Sequence, residues 1–472
     1  GIDRAVSLHA LPPVHVRSLR VVAGLDAACQ DGELSVSVTV DAPPDATVDG
    51  LTFEASLRGP EGETVALSAS SVPVSRGPDG WTATLEARVP RPLPWSAEKP
   101  RLYALAFELK AGGATIERIE RRVGFRRVEV RGSALFLNGR PIKLAGACRH
   151  ETDPLTGRAD TMRHAEEDVR LIRAASLNYI RTSHYPPAME LVEAADRLGV
   201  YLEVEAPFCW VAPDDDLDDL RAILTPTSAM VDLYGSHPSV IIWSLANESH
   251  FNPAFEVSNE LVKRLDPTRP TTFNNPDPKR ICDIANLHYP PLPWDEQAAG
   301  DPRPLLLGEY WFPVCHEQTD VRVNPGLREL FGYGHADPES ERARRHAESF
   351  AKPFLKPGAP PGAWTRIVRS PRVLGGAIWA AFDEPFWFAD GERAGYAWHH
   401  GFWGIIDAWR RPKPEHWLSK LIFAPVWFPA RSVEYREGQA EVRVPVENRH
   451  AFTDLAELGF SWELGGRTGS AR

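Results

Sequence analysis

The chain has 472 residues, 43% of them hydrophobic and 25% charged, with a formal net charge of −11. That composition belongs to a folded protein of several domains. The acidic balance argues against a nucleic acid or an anionic membrane as a partner, and no apolar run reaches the ~18 residues that a membrane span requires.

Residues 1–14 are too short for a domain and read as the last strand of something upstream. Charges and prolines interrupt every apolar run before Gly24, so no signal peptide is expected there. Residues 15–125 read as all-β. Segments 35–40 and 81–89 alternate apolar and polar positions, with turn clusters at 41–45 and 77–80. The length suits an immunoglobulin-like sandwich. From about Val128 the pattern changes, and residues 126–425 alternate short apolar runs with helical stretches. Eight strands are expected, at 142–150, 179–185, 200–208, 240–249, 271–275, 283–289, 304–310 and 374–382, which suits a (β/α)8 barrel. Helix 164–176 should bury Val169, Leu171 and Ile172, and another begins at Asn252 with Pro253 in its first turn. Residues 426–472 return to strand grammar, as at 442–446, and read as the start of a further β domain. The five cysteines, Cys29, Cys148, Cys209, Cys282 and Cys315, are scattered without CxxC pairs, which argues against a disulfide framework or a zinc site.

In such a barrel the C-terminal strand ends form the floor of the site. The polar residues expected there are Arg149, His150, Arg181, His184, Glu205, Asn247, Glu248, His288, Tyr289, Glu309 and Trp379. A carboxylate closing an apolar strand costs stability unless it is paired, so Glu248 and Glu309 draw notice. The plain alternatives stand beside this reading. A strand-end Glu is usually a solvated or ion-paired residue, His150 and His184 could be satisfied core histidines, Trp379 could be a core aromatic, and Glu205 could be a structural partner of Arg149 or Arg181.

Several motifs are more specific. They are Ile241-Ile242-Trp243-Ser244-Leu245-Ala246-Asn247-Glu248-Ser249, Leu305-Leu306-Leu307-Gly308-Glu309-Tyr310-Trp311, Arg181-Thr182-Ser183-His184-Tyr185-Pro186, His237-Pro238-Ser239, Gly375-Gly376-Ala377-Ile378-Trp379 and the opening Gly1-Ile2-Asp3-Arg4. Together they resemble glycoside hydrolase family 2, the family of β-galactosidases, β-glucuronidases and β-mannosidases. The resemblance implies a jelly roll, an immunoglobulin-like sandwich and a catalytic barrel in that order, of which this chain would lack nearly all of the first. It also implies Glu309 as nucleophile, Glu248 as acid/base, and Asn247 in contact with the sugar hydroxyl beside the reacting carbon. Arg181 and Tyr289 would lie against Glu309, while His150, His184, His288, Trp379 and Glu205 would line the sugar site. A retaining glycosidase needs its two carboxyls ~5–5.5 Å apart, one ionised and the other with the higher pKa.

The chain departs from the family in three places. Where a bacterial β-galactosidase of the family supplies a Glu and a His to magnesium, this chain has Cys209 and Val211, so neither a metal nor another cofactor is expected. The Asn-x-Lys pair that holds a uronic acid should precede Gly404, where Gly401-Phe402-Trp403 stands. Phe312 replaces a His that follows the nucleophile. The resulting expectation is a retaining, exo-acting, β-galactosidase-like hydrolase acting on an oligo- or polysaccharide. The alternatives are β-mannosidase- or uronidase-like specificity, or a truncated carbohydrate-binding remnant without activity. A homo-oligomer is left open. The expected compartment is the bacterial cytoplasm or periplasm, with any signal peptide outside this chain.

Overall fold

The computed structural model describes residues 4, 6–43, 50–77, 80–159, 161–212, 220–274, 277–290, 294, 300–311, 362–387, 394–396, 403–430, 432–434, 439 and 441–471. No strand occurs among the described residues before His15. Nine strands then build a sandwich: β1 (His15–Leu25), β2 (Gly32–Asp41), β3 (Leu51–Arg58), β4 (Thr64–Val65), β5 (Ser71–Pro73), β6 (Ser75–Gly77), β7 (Gly80–Val89), β8 (Tyr103–Ala111) and β9 (Ala114–Val123). One sheet runs β1-β2-β7-β6; the other runs β4-β3-β8-β9, with β5 also on β3. The alternation read in the sequence becomes the inner face. Val36, Val38, Val40, Leu85 and Val89 from one sheet share a core with Phe53, Leu105 and Phe107 from the other.

A short meander, β10 (Val128–Arg131), β11 (Ala134–Leu137) and β12 (Arg140–Pro141), leads into the barrel. The barrel strands are β13 (Leu144–Arg149), β14 (Tyr179–Thr182), β15 (Tyr201–Glu205), β16 (Val240–Asn247), β17 (Thr271–Asn274), β18 (Ala285–His288), β19 (Leu305–Trp311) and β20 (Val373–Trp379). All eight expected strands are present, each close to its expected place; residue 275, at the end of the fifth, lies outside the described residues. Their order is β17-β16-β15-β14-β13-β20-β19-β18, with neighbours parallel. Between β17 and β18 the ring is closed by an isolated bridge, Thr272 to Ile284, and by the Ile284 N–H donating to Thr271 O at 3.1 Å. Strands β13 to β17 and β20 are buried at every position, because helices cover one face and the barrel interior the other.

The outer helices include α1 (Ala165–Ala174), α2 (Met189–Leu198), α3 (Arg221–Tyr234) and α4 (Pro253–Leu265). In α4, Asn252 caps the N-terminus by accepting from Ala254 N–H, with Pro253 at the first position, as the sequence predicts. In α1 the buried face is Ala165, Asp168, Val169 and Ile172, and Leu171 is only partly covered. Asp168 can be buried there because Arg149 and Arg410 pair with it at 2.7 and 3.0 Å. Past the barrel, strands Val426–Trp427 and Glu447–Asn448 pair, as do Phe460–Leu464 and Arg467–Ala471. Among the described residues no helix is long and apolar enough to cross a membrane.

Candidate active site

Glu309 lies on β19, with 4% of its surface exposed. Arg181, from β14, donates through Nη1 to its Oε1 at 2.6 Å, and the Tyr289 hydroxyl, just past β18, donates to its Oε2 at 2.6 Å. Both carboxylate oxygens therefore have a donor, one of them charged. Burial, then the charge of Glu309, pushes the Tyr289 phenol well above its usual range, so it remains a donor.

Arg181 is the hub of the floor. Its Nη2 donates to Glu205 at 2.6 Å and to Asn247 Oδ1 at 2.8 Å. Burial alone would lower its pKa, but Glu205 and Glu309 raise it well above the usual range. Glu205 is therefore a partner of Arg181 and not of Arg149, which pairs with Asp168. The Glu205 carboxylate also accepts from Ser244, from Asn274 and, through its other oxygen, from His184 Nδ1 at 2.9 Å. Burial opposes its ionisation, but Arg181 and His184 outweigh this and bring its pKa to about 2. Asn247 is buried, and its Nδ2 donates to Cys209 Sγ at 3.2 Å.

On the β20 side, the Trp379 and His184 rings stack at 5.4 Å with 6° between planes, and His150 meets both edge-on. Burial, then His184, pushes His150 well below the usual imidazole range, so it is neutral beside the Tyr185 hydroxyl at 3.2 Å. Trp379, Trp403, His150 and His184 thus give the mouth an aromatic wall.

Glu248 follows β16 directly. Its Oε1 accepts from His288 Nδ1 at 2.9 Å, and its Oε2 from Trp210 Nε1 at 3.0 Å. The His288 hydrogen bond pulls the Glu248 pKa down to about 2, against the opposing effect of burial and with help from Trp210 and Arg181. A proton donor was expected to sit higher, so the free site departs from that expectation, and the reason is the two donors. Glu248, Tyr289 and Trp210 have φ of +38°, +44° and +59°, backbone that non-glycine residues rarely adopt and that is concentrated at functional sites.

One side-chain atom each of Glu248, His288 and Glu309 lie within 4.8 Å of one another. That spacing could hold a cation, but Arg181 and Tyr289 already occupy Glu309. The magnesium position of the family does not fit either. The Val211 side chain has no ligand atom, and burial pushes the Cys209 thiol up to about 11, leaving it protonated. Phe312, Cys315, Gly401 and Phe402 lie outside the described residues, as do Gly1, Ile2 and Asp3.

Sequence reasoning missed Trp210, Ser244, Asn274 and Glu384. Glu384 follows β20 and is buried; burial, then Glu309 and Asp383, raise its pKa well above the carboxylate range against an opposing hydrogen bond from Trp403. The adjacent acids Asp383-Glu384 after an apolar strand were a usable signal. For Trp210 there was none, because its place depends on pairing between two loops.

Comparison with known proteins agrees with this architecture. Residues 14–126 match the family described as "Glycosyl hydrolases family 2" and residues 128–299 match "Glycosyl hydrolases family 2, TIM barrel domain". The chain belongs to glycoside hydrolase family 2. Among its relatives, a β-galactosidase of Priestia megaterium is 31% identical over 98% of this chain and 44% of its own length. One of Aeromonas hydrophila is 37% identical over 66% of this chain and 32% of its own. The chain thus spans less than half the length of these two relatives. A family 2 member from Bacteroides cellulosilyticus superposes with a TM-score of 0.68 at 21% identity, covering 91% of this chain and 54% of that one. A β-D-glucuronidase of Dictyoglomus thermophilum gives 0.64 at 20%, covering 88% and 69%. At that identity the two structures establish the shared fold alone.

Proposed function

We propose that the chain is a retaining, exo-acting β-glycoside hydrolase that releases a terminal β-linked sugar, with β-galactosidase-like specificity. The observation that carries this reading is the pair of carboxylates, each offering an oxygen within 4.8 Å of the other at the mouth of one barrel. That proximity suits attack on an anomeric carbon held between them. Glu309 is the nucleophile: Arg181 and Tyr289 hold its oxygens and supply the charge and hydrogen bonds that an anionic carboxylate needs. Glu248 is the acid/base. A sugar seated between the carboxylates takes solvent away from Glu248, and loss of solvent is the influence that raises its pKa. The aromatic wall of Trp379, His184 and His150 lines the sugar side, and Asn247 meets the hydroxyl next to the reacting carbon. Galactose is favoured by the names of the curated relatives. The sandwich is assigned to 15–125 and the catalytic barrel to 126–425.

The test is a panel of aryl β-galactosides, β-glucuronides and β-mannosides, followed by azide rescue. Turnover is expected on the galactoside. Glu248→Ala should lose about 10²–10⁴-fold on a poor leaving group and yield the β-glycosyl azide, since azide attacks the glycosyl-enzyme without a base. Glu309→Ala should yield the α-azide, because azide then replaces the nucleophile directly. Opposite anomers would exchange the two roles, and full activity in both variants would remove the site from this place.

A further inference from the structure

Trp210 is 71% exposed, the most exposed of the tryptophans among the described residues. An exposed indole is common; one that donates to a site carboxylate from the rim of a barrel is not. The segment after β15 is held against the end of β16 by backbone hydrogen bonds. Asn247 N–H donates to Phe208 O at 2.7 Å, Trp210 N–H to Asn247 O at 3.1 Å and His250 N–H to Val211 O at 2.8 Å. The Ser249 hydroxyl also accepts from Val211 N–H at 3.1 Å. Trp210 itself has φ of +59°. These ties set the indole N–H on Glu248 Oε2 at 3.0 Å and leave most of the ring in solvent. Glu248 is also the more exposed of the two site carboxylates, with 31% of its side chain open against 5% for Glu309. The leaving group must depart on the open side of the acid. The aromatic wall of Trp379, His184 and His150 stands elsewhere, around Glu309 and Arg181, so Trp210 is not part of it.

We propose that Trp210 is the leaving-group residue of this site: its Nε1–H positions Glu248, and its exposed ring is the platform for the sugar or aryl group that departs. This rests on the glycosidase reading above. The ring offers a flat apolar face, which gains by covering the apolar face of a pyranose or an arene. The N–H fixes the carboxylate orientation from the same residue, so the leaving oxygen and its proton donor are aligned by one side chain. Glu248 is faced by His288 from β18, Glu309 from β19, Arg181 from β14, Tyr289 after β18 and Cys209 after β15. Trp210 donates to Glu248 without adding a titratable charge to that group.

Two substitutions in the full chain separate the platform from the hydrogen bond. Trp210→Phe keeps a ring and loses the N–H. Because that hydrogen bond favours ionised Glu248, its removal should move the alkaline limb of kcat, which reports the substrate-bound site, to higher pH. Trp210→Ala loses both. Its kcat/KM should fall about tenfold further on a β-galactosyl disaccharide than on β-galactosyl fluoride, whose leaving group has no ring to stack. If Trp210→Ala lowers both substrates equally and Trp210→Phe leaves the alkaline limb in place, the assignment of Trp210 is overturned while the glycosidase reading stands. If the unaltered chain turns over neither substrate, nor the glucuronide and mannoside of the panel, the glycosidase reading itself falls.

Discussion

Arg181 has no exposed surface, yet its two terminal nitrogens reach Glu309, Glu205 and Asn247. A buried guanidinium is tolerable only when its charge is matched, and Glu205 supplies that match from the next strand. Glu205 also holds His184 against Trp379, so one carboxylate fixes both the cation under Glu309 and the aromatic wall. The folded-state pKa of Glu205 is about 2 against 4.5 for an unperturbed glutamate. A depressed carboxylate contributes stability that is full above the unfolded value and lost as pH falls toward the folded one. Glu205→Gln should therefore cost about 3 kcal/mol at neutral pH, and the gap to the unaltered protein should close as pH falls from 5 to 2. Urea unfolding at pH 7, 5 and 3 reads this directly; a gap independent of pH would show that Glu205 does not act through its charge. At this scale the sequence showed which residues gather. Arg181, Asn247, Glu248 and Glu309 stood at strand ends in recognisable motifs, and Glu205 stood at a strand end as a candidate partner of Arg181. It did not show that Glu248 is held ionised in the free site, because that depends on Trp210, from the loop after β15, and His288, from β18, converging on it.

Strand β19 shows how an element sets the site. Gly308 precedes Glu309, and its N–H donates to Asn286 Oδ1 at 2.9 Å. A Cβ there would overlap Asn286 Oδ1 and stand 2.6 Å from Asn274 Oδ1 and 2.8 Å from His288 Nε2. These belong to packed side chains of β17 and β18, which cannot move without moving the donor to Glu248. Gly308→Ala should lose about 2 kcal/mol by overpacking and at least about tenfold in kcat/KM through displacement of Glu309 and His288. Thermal unfolding with steady-state kinetics checks both, and an alanine variant at full rate would show that the strand has room to give. The barrel strands were legible as elements because a parallel strand buried on both faces is a continuous apolar run. Helix α4 was legible from its cap and proline. In helix α1 all three expected residues pack against the core, Leu171 only in part, and Asp168 joins them unforeseen. Apolarity could not point to Asp168, which occupies an inner position because two arginines from distant segments neutralise it.

The sandwich and the barrel meet through buried polar contacts. Arg126, at the junction where the sandwich passes into the barrel, is nearly fully buried, with Nε donating to Pro238 O and Nη2 to Val240 O, each at 2.7 Å. Burial, then the nearby charge of Arg269, pulls its pKa well below the guanidinium range. Trp95 adds a bond from Nε1 to Asp196 O at 2.9 Å, and Asp196 in turn accepts from His237 at 2.6 Å. Two charge-assisted bonds to carbonyls at the start of β16 place the sandwich against the strand that ends in Glu248. Arg126→Ala should lower stability by about 3 kcal/mol and separate the unfolding of the two domains. Calorimetry would show one transition becoming two, and a single unshifted transition would mean that the interface holds without Arg126. This contact was not legible in the sequence. Arg126 stands in a run of basic residues, and only the folded chain shows that it turns inward while Arg121 and Arg122 face the solvent.

The bridge that closes the ring between β17 and β18 has a bearing on stereochemistry. Around the short side of the barrel, the path from Glu248 on β16 to Glu309 on β19 crosses that join. The hydrogen bond from His288 to Glu248 spans it as well. Opening of the barrel at this join would widen the gap between the carboxylates. That gap is the quantity that separates attack by a side chain from attack by a water. On the glycosidase reading proposed above, the stiffness of this join, which His288 and Asn286 help to hold, would keep the two carboxylates at the spacing that retention needs.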